Sequence, residues 1–124
     1  MGDVSKNFDR SEFACRCGCG MDDINQKTVN LLQELRDFYN KPVHINSGCR
    51  CPDHNTSVNG ASGSKHMQGL AADIHVEDVD PDEIANWLED KHVDNYGIGR
   101  YDTFTHFDTR ENKARWDRRT HEIV

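Results

Sequence analysis

Apolar positions first become periodic at residue 24. Ile24, Thr28, Leu31, Leu35 and Phe38 recur at spacings of three and four, with Leu32 and Tyr39 beside them, while Asn25, Gln26, Lys27, Gln33, Glu34 and Asp37 fill the other face. That stripe predicts an amphipathic helix over 24–39, ended by Asn40 and Pro42. The pattern then changes to alternation. Residues 42–47 read as a short strand leading to Gly48, and Leu70 to Val76 as a second. In the second, period two sends Ala72, Ile74 and Val76 to one face and Asp73 and His75 to the other. A second helix starts at Asp80, with Asp80 as cap, Pro81 at the first position and Glu83 completing a capping box; Ile84, Trp87 and Leu88 are its stripe. Residues 96–101 and 104–109 read as a hairpin turning at Asp102 and Thr103.

Between these elements the pattern gives little. Residues 1–23 read as irregular, 48–69 as one long loop of Gly, Asn, Ser, Pro and Asp, and 117–124 as a weakly held tail, as is 1–7. A loop of that length in a small domain is usually functional. With no repeat and no linker in sight, the chain reads as one domain over 1–124. The fold class expected is α+β, a small antiparallel sheet with helices on one face.

Composition narrows the classes. Of 124 residues 35% are hydrophobic and 30% charged, so the core is thin and a metal or disulfide could supplement it. A net charge of −7 argues against nucleic acid as a partner. No apolar run reaches membrane-spanning length. The start, Met1 to Lys6, lacks the apolar core of a signal peptide, so synthesis in the cytoplasm without insertion is expected. Five cysteines stand at 15, 17, 19, 49 and 51. They could be reduced structural thiols, a disulfide from the 15–19 segment to the 49–51 segment, or a second metal site, although Cys-x-Cys differs from the usual Cys-x2-Cys spacing.

The chemistry concentrates in Ser64-Lys65-His66-Met67-Gln68-Gly69-Leu70-Ala71-Ala72-Asp73 and in Tyr101 to Asp108. Imidazole and carboxylate are good zinc ligands. His66, Asp73 and His106 would supply three, leaving a fourth position for water, the ligand count of a catalytic zinc site. Asp108 follows His106 by two, on the same strand face, where it could hold the imidazole or serve as a base.

Ser-x-His-x-x-Gly-x-Ala-x-Asp followed some thirty residues on by a strand His resembles the zinc D-Ala-D-Ala carboxypeptidase family, related to D,D-dipeptidases and the hedgehog signalling domain. Ser11 to Cys15, Asn46 to Arg50, His54-Asn55 and Gly97 to Tyr101 are similar to its compact branch of phage endolysins and murein peptidases. The likeness runs from about Phe8 to Trp116, and cysteine-rich starts recur in that branch. It implies a zinc ion on His66, Asp73 and His106, substrate and oxyanion binding by Arg50, and a donor or loop-orienting role for Ser64. It also implies a general base a few residues before the second His. Asp102 is the nearest candidate, although the dipeptidase position, three before His106, holds Thr103. The implied function is cleavage of peptidoglycan peptide stems by a monomeric enzyme, acting on the wall after release. The alternative is a non-catalytic zinc-binding structural or virion module of the same fold.

Overall fold

The computed structural model describes residues 3–58, 60 and 63–118. The first helix, α1, spans Gln26–Tyr39. It starts two residues later than its apolar stripe because Asn25 is the cap, its side-chain oxygen accepting the Lys27 N–H at 2.8 Å. Asn40 closes it in the left-handed conformation (φ 53°), donating its N–H to the Arg36 carbonyl. Thr28, Val29, Leu31, Leu32 and Leu35 are buried. Phe38 is exposed instead, its ring against Tyr39 and against Trp87 of the second long helix.

Five strands form one sheet. They are β1 (Val43–Ser47), β2 (Ala71–Val76), β3 (Gly97–Arg100), β4 (Thr105–Asp108) and β5 (Ala114–Asp117), in the order β1-β2-β4-β3-β5. The first three pairings are antiparallel, and β5 runs parallel to β3. The sheet is therefore mixed, which corrects the expectation of an antiparallel one. After β4 the chain passes β3 and lies along its outer edge, and a strand placed there in that direction must run parallel. Nothing in the apolar pattern marks β5, because it is a half-exposed edge without alternation. It is held instead through polar groups: the Arg115 guanidinium donates to the carbonyls of Tyr96 and His92 at 2.7 and 2.6 Å. Arg118 extends the pairing, its N–H reaching the Arg100 carbonyl at 2.8 Å. The remainder of the expected tail, 119–124, lies outside the described residues, as do residues 1 and 2. Over 3–7 the chain is tied to α1: the Ser5 hydroxyl and the Asn7 N–H both donate to Gln33 Oε1.

The stretch 48–69, expected as one loop, contains a short helix and a 3-10 turn. Helix α2 is Pro52–Ser57, with proline at its first position and Cys51 as cap. The 3-10 turn is Lys65–Gln68. The helix over α3, Pro81–Lys91, is capped by Asp80 through the Asp82 N–H at 2.9 Å.

Alternation gives the sheet two unlike faces. Ile74 and Val76 of β2, Ile98 of β3 and Phe107 of β4 join Val29, Leu32 and Leu35 of α1 and Ile84 and Leu88 of α3 in one core. Each such side chain, once fully buried, contributes about 1.5–3 kcal/mol. Helices α1 and α3 thus cover one face, and the other is left to polar residues. There β2 and β4 set Asp73 directly opposite His106, and β3 and β4 set Gly99 opposite the same histidine.

Candidate functional site

Three segments converge on the open face of the sheet. Asp73 comes from β2 and His106 from β4, each held by the ladder on both sides. His66 arrives from the 3-10 turn, which Ser64 opens by accepting the His66 N–H at 3.2 Å. Gly69 closes that turn with φ 71°, and a Cβ there would collide with the Asp23 carbonyl. The three side chains are buried, and one donor atom from each lies within 4.8 Å of the others.

Hydrogen bonds decide which nitrogens are free to bind. His66 Nδ1 is 2.7 Å from the Gly48 carbonyl, so it carries the proton there and Nε2 keeps its lone pair. That Nε2 is 3.3 Å from Asp73 Oδ1. His106 Nε2 is 2.9 Å from Asp108 Oδ2, which leaves Nδ1, 2.9 Å from the same Asp73 oxygen. Zinc–nitrogen and zinc–oxygen bonds of about 2.0–2.1 Å in a tetrahedron separate neighbouring ligand atoms by roughly 3.4 Å. The two histidine–aspartate separations are close to that edge length, so these three residues fit a zinc ion.

Asp108 is fully buried. It accepts from His106 and, through both oxygens, from Arg110 Nε at 2.7 Å and a terminal nitrogen at 2.8 Å. Arg110 was not singled out in the sequence, although its spacing of two from Asp108 is the same signal that paired Asp108 with His106. A Cβ on Gly97, directly across the ladder, would strike this carboxylate. Burial alone would raise the Asp108 carboxyl, but Arg110 and His106 outweigh it and hold it well below the usual carboxylate range. Burial would likewise raise Asp73, and the two histidines hold it down. For His106 burial favours the neutral ring, while Asp108 and Asp73 reverse the balance and raise its pKa.

Above the three donors lies a cleft of about 680 Å³. Among the described residues, its lining carries four basic side chains, Arg50, Lys65, Arg110 and Arg118, against the single carboxylate of Asp73. The cleft is thus positive in a chain of net charge −7, a local field that suits an anionic ligand. Arg50 reaches in from the segment before α2. One terminal nitrogen is 3.5 Å from Asp73 Oδ2, the other donates to Asn55 Oδ1 at 3.2 Å, and among the described residues its buried Nε has no partner.

The model of the family described as Peptidase M15 matches residues 6–108. The chain belongs to the peptidase M15 family. No curated protein matches it. M15 peptidases are metallopeptidases, usually of zinc, and His66, Asp73 and His106 could form the metal site of this one.

The remaining candidates fall at different distances from that centre in the M15 fold. Ser64 lines the cleft. Asp102 is exposed in the turn between β3 and β4 and is not among the described residues lining the cleft, whereas its neighbours Tyr101 and Phe104 are. His75 shares the face of Asp73 but lies at the far end of β2, stacked on His44 and bonded to Asn46. Trp116 lines the cleft with its ring 5.0 Å from that of His106. Its Nε1–H donates to the Tyr101 hydroxyl at 3.0 Å, and the Arg110 guanidinium lies over it. Gly99 makes this possible, since a Cβ there would strike the indole.

Proposed function

We propose that this M15 peptidase is a zinc enzyme that hydrolyses amide bonds in the peptide stems of bacterial peptidoglycan. The observation that carries the reading is the convergence of His66 Nε2, Asp73 and His106 Nδ1 at the floor of a basic cleft. When bound there, zinc would polarise a carbonyl and lower the pKa of a coordinated water towards neutrality. The protein's own residues do the rest. Arg50, which lines the cleft, offers its guanidinium to the substrate carbonyl, where negative charge develops. Lys65, Arg110 and Arg118 attract the carboxylates of a stem peptide. Asp108 fixes the His106 ring, and Arg110 fixes Asp108.

The leaving amine needs a proton. Asp108 is committed to two donors inside the protein, so the role of general base and acid falls to Asp102. The turn that bears it is flanked by two residues of the cleft wall.

Digestion of purified peptidoglycan, with mass analysis of the released fragments, tests the reading. Cleavage should stop with a chelator and return with zinc. Asp102→Asn should abolish cleavage and leave the zinc content unchanged. Wall fragments released equally by the chelated protein would exclude a zinc peptidase. A zinc-loaded wild-type protein that releases nothing would favour a non-catalytic module of the same fold.

A further inference from the structure

Five cysteines are an odd number for disulfides, and the fold divides them four to one. Cys49 is buried in the hydrophobic core, where burial, with the nearby charges of Asp22 and Asp23, pushes its thiol up to about 11. The other four meet outside the core. One sulfur from each of Cys15, Cys17, Cys19 and Cys51 lies within 4.8 Å of the others. Cys15 is 3.4 Å from Cys17 and 3.9 Å from Cys51, and Cys17 is 3.5 Å from Cys51. All are free.

From these distances we infer that Cys15, Cys17, Cys19 and Cys51 form a second, closed zinc site, separate from the cleft. Zinc–sulfur bonds of about 2.3 Å place the sulfurs of a tetrahedral four-cysteine site roughly 3.8 Å apart. The observed separations bracket that value. The spacing Cys-x-Cys-x-Cys looks wrong for a zinc knuckle only if the chain is extended, where alternate side chains stand about 6.6 Å apart. Here the segment coils. Gly18 and Gly20 take φ of 85° and 92°, which side chains rarely tolerate, and the Cys15 N–H bonds the Met21 carbonyl at 2.8 Å. The coil gathers three sulfurs and turns them towards Cys51.

Two of the four sulfurs also accept backbone N–H groups. The Cys51 N–H points at Cys15 Sγ and the His54 N–H at Cys51 Sγ, each at 3.4 Å. Backbone N–H groups directed at sulfur stabilise thiolate over thiol. On binding, each coordinating thiol releases its proton to solvent and no redox change occurs. A closed site with four protein ligands has no position for substrate, so its role is structural. Its place in the fold says what it would hold. Cys51 caps α2 next to Arg50, so the ion would tie the coiled N-terminal segment to the wall of the cleft.

Metal analysis of the intact protein tests this. Wild type should hold about two zinc ions per chain. Cys19→Ser and His106→Ala should each lose about one, and the double variant should lose both. Cys17 and Cys19 are exposed, yet in the zinc-loaded protein they should resist alkylation until a chelator is added. In cobalt-substituted protein the thiolate charge-transfer absorption should survive His106→Ala and vanish in Cys19→Ser. About one zinc in wild type, lost from His106→Ala but kept by Cys19→Ser, would overturn the assignment. So would rapid alkylation of Cys17 and Cys19 in the loaded wild type, which does not depend on a variant folding. Iron in place of zinc at full occupancy would overturn the choice of metal.

Discussion

Asp108→Asn keeps the size and shape of a fully buried side chain and changes only what it can accept. In the native arrangement Asp108 meets donors alone: Oδ2 accepts from His106 Nε2 and an Arg110 terminal nitrogen, Oδ1 from Arg110 Nε and the Arg110 backbone N–H. An asparagine has one oxygen and one NH2 group. Whichever way the amide turns, one of its two neighbours faces a donor. If its oxygen takes the Oδ1 place, the His106 ring and the Arg110 terminal nitrogen lose their acceptor. Nδ1 is then no longer fixed as the free nitrogen, and zinc binding suffers. Losing such a support typically weakens a metal site 10- to 100-fold, or about 1.4–2.8 kcal/mol. If its oxygen takes the Oδ2 place, His106 and the Arg110 terminal nitrogen keep their acceptor while Arg110 Nε and its backbone N–H face an NH2 group, at a cost of about 1–3 kcal/mol, towards the low end because Arg110 is partly open to water. Chelator competition measures the first effect, and melting of the metal-free protein measures the second. The sum of the two should be substantial in either orientation. A variant with zinc affinity within about twofold of wild type and an unchanged melting temperature would show that the Arg110–Asp108–His106 chain does not support the site.

Two further substitutions probe the cleft wall. Arg50→Lys removes the planar fork while keeping the charge, so turnover on peptidoglycan should fall by about tenfold or more with zinc content unchanged; normal turnover would place Arg50 outside the chemistry. Gly99→Ala puts a methyl group where the Trp116 indole lies, and since Trp116 is half-exposed and can swing away, stability should fall by only about 1 kcal/mol while cleavage suffers from the displaced wall. Wild-type turnover in Gly99→Ala, measured beside its thermal melt, would remove Trp116 from the cleft's function.

How far the sequence disclosed this molecule depends on whether each feature is local. Helices α1 and α3 were legible because their apolar stripes and caps lie within single windows. The pairing of Asp73 with His106 was only half legible. Period two put each on an open strand face, but their opposition comes from a ladder between segments 33 residues apart. Helix α2 carries a single buried residue, Asn55, and is capped by a cysteine, so no stripe announced it. Strand β5 is held by the Arg115 guanidinium on backbone carbonyls and by pairing with β3, neither of which leaves an apolar trace. Gly97 and Gly99 lie in a segment expected only as one arm of a hairpin, yet they are the small residues over which Asp108 and Trp116 fit.

The segment Gly48 to Cys51 shows why such features escape a linear reading. The Gly48 carbonyl holds the His66 ring, and the Cys49 N–H is bonded to Phe13. Arg50 reaches Asp73, and Cys51 belongs to the sulfur cluster. Four consecutive residues therefore touch both donor sets, the core and the N-terminal coil. In sequence the resemblance singles out Arg50 here, but nothing local marks what the four residues touch. Their content comes from partners between 15 and 37 residues away, brought in by the N-terminal coil, the 3-10 turn and β2. A chain with a thin core gains from that economy. One short stretch anchored at both ends can fix Arg50 over the candidate metal ligands without a larger scaffold. It follows that the sulfur cluster acts on the cleft through Arg50, whereas the His106–Asp108–Arg110 chain, built on β4 and the residues just after it, does not depend on that cluster.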